Sequence, residues 1–409
     1  MKICIISQPA NWTTGFGITC CKIATGLSKN GHKVYCAGFA FGIVSSEETV
    51  QTNYNFTIWN GNKEKTEFEA VGNFIREVEP DVIIVNFDIA AVIYFLNLLK
   101  LNDIKQKVFA HTVLDGFPAS EEFIDALTKI EGVIVPTQAT KKYLKSTGLK
   151  NVHYAPHGVD TGEFFPMDKS VIRKKLNLNA KKDFIIGVFG KNDERKQIPR
   201  VLLALHYLIY NLKQKNIYLY IHSETQRIVG TGWDLEFIAG YLKLKDHIIF
   251  TEKSFKPQIG IEQGGSTAQQ GIANKTLTYL ERINMCDVIV NVPFSGGFEL
   301  CTVEAQACGI PLITINDSGN IREVAGDAAL LVEPVIKNIW INGAFIHYVD
   351  EIDVAEKILL LRNDMILRES LKEKGLNNIK YYTWRHLEKT IEKVITADYK
   401  KSVLQPNLN

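Results

Sequence analysis

Residues 183–206 read DFIIGVFGKNDERKQIPRVLLALH. An apolar, β-branched run ends at Gly190, a polar corner follows, and apolar residues then recur at helical spacing. A strand apolar along nearly its whole length is buried on both faces, as parallel strands are. Strand, polar corner and helix together form the repeating unit of a doubly wound α/β domain.

The same grammar extends in both directions. Towards the C-terminus, IYLYIHS (217–223), HIIFTE (247–252), DVIVNV (287–292) and IPLITIN (310–316) read as further strands. Towards the N-terminus the pattern starts with KICIIS, a Gly-rich turn TTGFGI and a helix TCCKIATGLSKNG that stops at Gly31. HKVYCAGF, PDVIIVN (80–86), QKVFAHT (106–112) and EGVIVPT (131–137) continue that half, and NVHYAPHGVD (151–160) closes it. A chain of 409 residues is long for one core and comfortable for two. The expectation is an α/β chain of two Rossmann-like doubly wound domains facing each other across a cleft, where ligands bind at the carboxyl ends of the strands. The boundaries read 1–157 and 158–383, with GVDTGEFFP (158–166) as hinge, and the Gly- and Gln-rich stretch 254–277 as a long loop over the cleft.

Composition narrows the function. A hydrophobic fraction of 46% and a charged fraction of 22% fit a globular protein, and a net charge of +2 gives no nucleic-acid footprint. No run approaches the roughly 20 apolar residues of a membrane span. MKICIISQPA is too short for a signal-peptide core and reads as a buried strand. The seven cysteines show no CxxC spacing, and a reducing cytoplasm is the expected compartment. ATKKYLKSTGLK (139–150) reads as a short basic helix, either a solvated face or a peripheral membrane contact.

Three corners offer glycine or positive charge where a helix begins. TTGFGI places Gly15 and Gly17 where backbone N–H groups face an anion, or it is a plain tight turn. GKNDERK gathers Lys191, Arg195 and Lys196, a cluster that suits a diphosphate, or a solvated loop balanced by Asp193 and Glu194. PFSGGFELCTVEAQACGIP (293–311) combines bare backbone at Gly296 and Gly297 with the start of a helix. Glu299 there reads as a first-turn carboxylate, and Glu304, inside an apolar run, wants a partner such as ribose hydroxyls.

Together these stretches resemble the retaining glycosyltransferases of family 4, on the two-domain GT-B fold. VHYAPHGVDTGEFFP (152–166) resembles that family's interdomain signature, and FSGGFELCTVEAQACGIPLI (294–313) its S-x-x-E-G-F-G-L-x-x-x-E-A-x-A-x-G-x-P-x-I stretch. GKNDERK resembles its G-R-x-x-x-x-K phosphate clamp, SGNIREVAGDAALLVEP (318–334) its following segment, and YTWRHLEKTIEKVI (382–395) its terminal helix, with 384–409 crossing back to the first domain. The resemblance implies transfer of a sugar from a nucleotide diphosphate donor, UDP- or GDP-linked, to a glycan, lipid or protein acceptor. It implies no cofactor and no metal.

Carried over by position, Lys196 is the clamp lysine, Lys191 stands where arginine is usual, and Arg195 lies beside them. Glu304 matches the second glutamate of the family's pair, which the resemblance implies would bind the ribose. Gly296, Gly297, Phe298 and Leu300 belong to the donor loop, with Gly15 and Gly17 near the diphosphate and acceptor. His111 resembles the histidine that contacts the donor sugar, or it is an ordinary core or surface histidine, and Asp115, in VLDGFP, is a second candidate there, on the acceptor side. One departure stands out. The family's first glutamate lies eight positions before Glu304, and that position is Gly296; EGFGL has become GGFEL. Glu299 either substitutes from a shifted position, as a catalytic group with Lys196 and His111, or only caps the helix. The altered corner leaves two rivals: a non-catalytic, degenerate nucleotide-sugar binding protein, and a nucleotide-sugar epimerase of the same fold.

Overall fold

The computed structural model of the chain describes residues 1–40, 43–44, 50–51, 55–59, 66–226, 232–251, 277–317, 319–340 and 343–404. Apart from Leu277, the loop expected at 254–277 lies outside the described residues.

The chain divides into two compact units. The first comprises residues 1–158 and the helix from 383 onward. Its strands are β1 (Lys2–Ser7), β2 (Lys33–Ala40), β3 (Ile43–Val44), β4 (Val50–Gln51), β5 (Thr57–Trp59), β6 (Val82–Asp88), β7 (Lys107–Val113), β8 (Gly132–Val135) and β9 (Val152–Tyr154). They form one sheet in the order β4-β5-β2-β1-β6-β7-β8-β9, with β3 on β2. The pairings from β5 through β9 are parallel. The central strands carry Ile, Val and Phe on both faces, which is why Ile3, Ile5, Ile83, Ile84 and Val85 are all fully buried.

The helix Gly15–Lys29 begins where Thr14 accepts the Gly17 N–H through its hydroxyl, 3.2 Å, and ends at Asn30 before Gly31 at φ +86°. The last helix, Trp384–Leu404, lies against it: a Cβ at Gly26 would come within 2.3 Å of Glu388, and Glu392 accepts a hydrogen bond from Asn30. Gly158, in the PHGVD stretch, meets the start of the same helix. A Cβ there would lie 2.1 Å from the Trp384 nitrogen and 2.5 Å from the Thr383 carbonyl carbon. Backbone cannot give way as a side chain does. Gly158→Ala is therefore expected to destabilise the first unit by about 1–3 kcal/mol, read as a lower denaturant midpoint; an unchanged midpoint would remove this contact from the account.

The second unit, residues 159–251 and 277–382, holds β10 (Phe184–Phe189), β11 (Ile217–His222), β12 (Ile248–Phe250), β13 (Val288–Asn291), β14 (Leu312–Ile315) and β15 (Ala329–Val332). The order is β12-β11-β10-β13-β14-β15, parallel throughout. A hairpin of β16 (Pro334–Ile339) and β17 (Phe345–Val349) is added after it.

The winding of the second sheet reverses between β10 and β13, and such switch points are where doubly wound sheets bind ligands. At their amino ends these two strands are clasped by charge. Asp287, just before β13, accepts the Ile185 N–H at 2.8 Å and the buried Arg173 guanidinium at 2.5 Å, and pairs with Lys169. Arg173 also donates to the carbonyls of Met285 (2.6 and 2.8 Å) and Asp183 (3.0 Å). At their carboxyl ends the strands deliver two of the three corners singled out in the sequence.

Candidate functional site

The corner after β10 is a single 3-10 turn, Glu194–Lys196, capped by Asp193. Gln197 follows at φ +51°, and its amide donates to the carbonyls of Val292 (2.8 Å) and His347 (3.1 Å). The Phe294 N–H donates to the Arg195 carbonyl at 2.8 Å, and the Arg195 guanidinium to the Ser295 carbonyl at 2.7 Å. The corners after β10 and β13 are thereby laced into one structure, with Arg195 3.2 Å from where a Gly296 Cβ would stand and Lys196 beside Gly190. Lys191 stays exposed.

Glu299 lies between the two cations. One carboxylate oxygen is 2.5 Å from Arg195 Nη1, the other pairs with Lys196, and the side chain is only 4% exposed. Burial pushes the carboxyl up, yet Lys196 and Arg195 outweigh it and hold it at about 2. Glu299 precedes the helix Leu300–Ala307 in a left-handed conformation, φ +65°, and its side chain makes no capping hydrogen bond. The reading of Glu299 as a simple helix cap is thus overturned: the carboxylate has a stronger claim on it from the cations. A non-glycine residue in that conformation is strained. Gly296 supplies the space, since a Cβ there would come within 2.8 Å of the Glu299 carboxylate and 3.2 Å of Arg195. Asn320 fixes the Gly296 carbonyl at 3.1 Å.

Phe298 and Leu300 point elsewhere. Phe298 is buried edge-on against Tyr382, ring centres 5.5 Å apart, in a core shared with Val303 and Val324, and Leu300 packs on that core. What this loop offers a ligand is backbone. Gly297 is buried in the same loop.

Glu304, one turn into the helix, accepts the Tyr279 hydroxyl at 2.9 Å. Burial raises its carboxyl to about 7, against the opposing pull of that hydrogen bond. Tyr279 in turn is held among Phe189, His222 and Phe164, with ring centres 5.1–6.0 Å away. Sequence reasoning gave Glu304 no protein partner. Tyr279 is 25 positions away, and no pattern at that range marks such a pair.

In the first unit a second polar group gathers at the carboxyl ends of β1, β6 and β7. Asn86 donates through its amide to Ser7 Oγ (2.7 Å) and the Phe16 carbonyl (3.1 Å), so its oxygen faces His111 Nδ1 at 2.7 Å. His111 therefore carries its proton on Nδ1. It is completely buried, burial lowers its pKa to about 3, and among the described residues Nε2 has no hydrogen-bond partner. Its ring faces His157 of the PHGVD stretch at 5.1 Å, and His157 stacks on Trp384. Asn86 thus joins His111 to the Gly15–Gly17 corner, a link the sequence did not suggest. At that corner the missing Cβ of Gly17 makes room for the Trp12 and Pro9 carbonyls, 2.5 and 2.7 Å from where it would stand. Asp115 is half-buried and raises the Asp88 carboxyl alongside the larger effect of burial.

The basic stretch 139–150 forms the helix Gln138–Ser146, and its apolar residues turn inward: Leu144 is fully buried and Tyr143 packs on Phe117 at 4.8 Å. Lys142 and Lys145 face solvent. No helix among the described residues is long and apolar enough to cross a membrane. Among them, no three His, Cys, Asp or Glu side chains gather as a metal would require.

Comparison with known proteins adds the following. The family model Glycosyltransferase Family 4 matches residues 13–163, and Glycosyl transferases group 1 matches residues 274–378. The D-inositol 3-phosphate glycosyltransferase of Stackebrandtia nassauensis is 26% identical over 245 residues, 58% of this chain and 46% of that protein. The chain thus aligns with about half the length of that curated relative. Among solved structures, sucrose-phosphate synthase from Thermosynechococcus elongatus superposes with a TM-score of 0.74 at 16% identity, covering 98% of this chain and 100% of that one. Trehalose 6-phosphate synthase from Burkholderia multivorans gives 0.70 at 13%, covering 100% and 99%. HepE from Anabaena in complex with UDP-glucose gives 0.69 at 14%, covering 97% and 100%. The fold is GT-B, two Rossmann-like parallel-sheet domains.

Proposed function

We propose that the chain is a retaining glycosyltransferase that moves a sugar from a nucleotide diphosphate donor to an acceptor hydroxyl. The observation that carries this is the pair Arg195 and Lys196, held at the switch point of the second sheet beside bare backbone and a helix start. Two cations at such a place meet the two phosphates of a donor. HepE, which shares the fold, was solved with UDP and with UDP-glucose. The family models on both halves of the chain agree with the reading.

In the reaction the bond from the anomeric carbon to the diphosphate oxygen breaks. The charge left on the phosphate is met by Lys196, Arg195 and the start of the helix Leu300–Ala307, in the place a metal ion takes in other transferases. The acceptor oxygen forms its bond on the face the phosphate leaves, and its proton passes to the departing phosphate oxygen. Glu299 is the carboxylate nearest the lost position at Gly296 and stands in for it towards the sugar. Gly296 and Gly297 present backbone to the diphosphate, with Lys191 at its outer edge. His111, neutral and with Nε2 unprotonated, is assigned to the sugar, and Asp115, Gly15 and Gly17 to the acceptor.

Glu304 takes the ribose hydroxyls, and this has a pH signature. With its pKa at about 7, Glu304 is protonated below that pH and ionised above it. The ionised form is the better acceptor of hydroxyl protons. Affinity for a nucleotide sugar, whose diphosphate does not titrate near neutrality, is expected to rise as the pH passes upward through about 7. Tyr279→Phe removes a hydrogen bond that favours the carboxylate, so it moves the rise to higher pH. Glu304→Gln abolishes it. A flat profile in the unaltered protein would count against Glu304 as the ribose ligand.

The proposal as a whole is tested by thermal unfolding with UDP, GDP, ADP and their common sugar conjugates, without added metal. Binding to the folded state raises the midpoint. One nucleotide is expected to stand out, and its sugar conjugate more so. No shift with any member of the panel would contradict the proposal. A shift without turnover would favour a binding protein, the reading that Gly296 in place of a glutamate otherwise supports.

A further inference from the structure

Glu299 bridges Arg195 and Lys196, a placement that the transferase reading does not require. We propose that it is a built-in counter-ion of the phosphate clamp, which a bound diphosphate must displace from Arg195 and Lys196. The inference deepens the assignment of these cations as the diphosphate site and rests on it.

Four features of the corner carry it. The carboxylate bridges both cations, one oxygen to each, so it takes up the two charges a diphosphate would need. All three side chains are largely withdrawn from water, at 4% exposure for Glu299, 12% for Lys196 and 23% for Arg195, so the pairing is little screened. The backbone at Glu299 is held at φ +65° with no capping bond, a strained conformation for a non-glycine residue. The carboxylate lies over Gly296, the position without a side chain, so the placement depends on both halves of the GGFEL change.

A diphosphate cannot join this arrangement. Its charges would meet a carboxylate on the same two cations, and like charges brought together in a partly desolvated site repel. It must exchange with Glu299, which is then released beside Gly296. Phosphate and pyrophosphate, which bring charge alone, pay that cost without help. A nucleotide sugar offsets it with ribose and base contacts. The carboxylate therefore acts against the wrong anions as much as for the right donor.

The test is calorimetric titration of the full chain with pyrophosphate and, separately, with UDP and GDP, comparing the unaltered protein with Glu299→Gln and Glu299→Asp. Glu299→Gln keeps shape and removes charge, and is expected to bind pyrophosphate about tenfold more tightly or better, one decade for each ~1.4 kcal/mol of competition removed. Glu299→Asp keeps the charge but is too short to bridge both cations, and should fall between. It also keeps the question open to measurement should the Gln variant fold poorly. Turnover of the Gln variant is expected to fall while its affinity rises, a split that simple damage to the site would not give. Equal or weaker pyrophosphate binding in both variants would overturn the inference. If pyrophosphate shows the gain but neither nucleotide binds any variant, the counter-ion stands and the reading of a UDP- or GDP-linked donor fails.

Discussion

Replacing Lys196 by alanine is expected to lower kcat/KM for transfer by about 100- to 1,000-fold, the range seen when a single group that stabilises developing charge is removed. Two effects add. The departing diphosphate loses a cation, and Glu299 loses one of its two partners and turns wholly to Arg195, the remaining cation. The Lys196 methylenes run past Gly190, where a Cβ would lie 3.4 Å from Lys196 Cε. Arg195 still balances the Glu299 carboxylate in the variant, so the fold is expected to persist with a lowered thermal midpoint. The measurement is initial rate against donor concentration, with the thermal midpoint as a control on folding. A loss under tenfold, with folding intact, would move the diphosphate away from this corner.

The second large effect concerns stability. Asp287→Ala is expected to cost the second unit about 3–5 kcal/mol, the range found when one partner of a buried ion pair is removed. Arg173 would be left fully buried with its charge uncompensated, and the Ile185 N–H would lose its acceptor. The damage falls at the amino ends of β10 and β13, so nucleotide binding at their carboxyl ends should fall with it. Denaturant titration followed by Trp fluorescence measures the first effect, and binding at a denaturant-free reference the second. A change below about 1 kcal/mol would mean that the pair is worth no more than a surface contact.

Much of the fold was legible because parallel strands buried on both faces leave an unbroken apolar mark. DFIIGVFG became β10, Phe184–Phe189, and DVIVNV became β13, Val288–Asn291. The hairpin β16–β17 went unread, although Asn342-Gly343 between two β-branched runs is a strong hairpin signal in sequence. In the site, charge type and order pointed to Arg195, Lys196 and Glu304. What sequence could not supply was mutual placement. That Glu299 leaves the helix and bridges the clamp follows from a left-handed backbone and from the empty Cβ position at Gly296, and neither is written in a residue pattern. The partners Tyr279 and Asn86 are of the same kind, brought in from strands and helices far along the chain. Residues on the basic stretch 139–150 show the opposite failing: the charge pattern was plain, but only packing shows that Leu144 and Tyr143 already serve the core.

The most direct test of the central claim needs no acceptor other than water. With the nucleotide sugar that most stabilises the protein, proton NMR can follow the first sugar released before the free anomers interconvert. The account predicts that an α-linked donor yields the α-anomer first, with nucleoside diphosphate released in equal amount, and that Lys196→Ala removes the signal. Release of the β-anomer, or tight donor binding with no breakage of the sugar–phosphate bond, would contradict it.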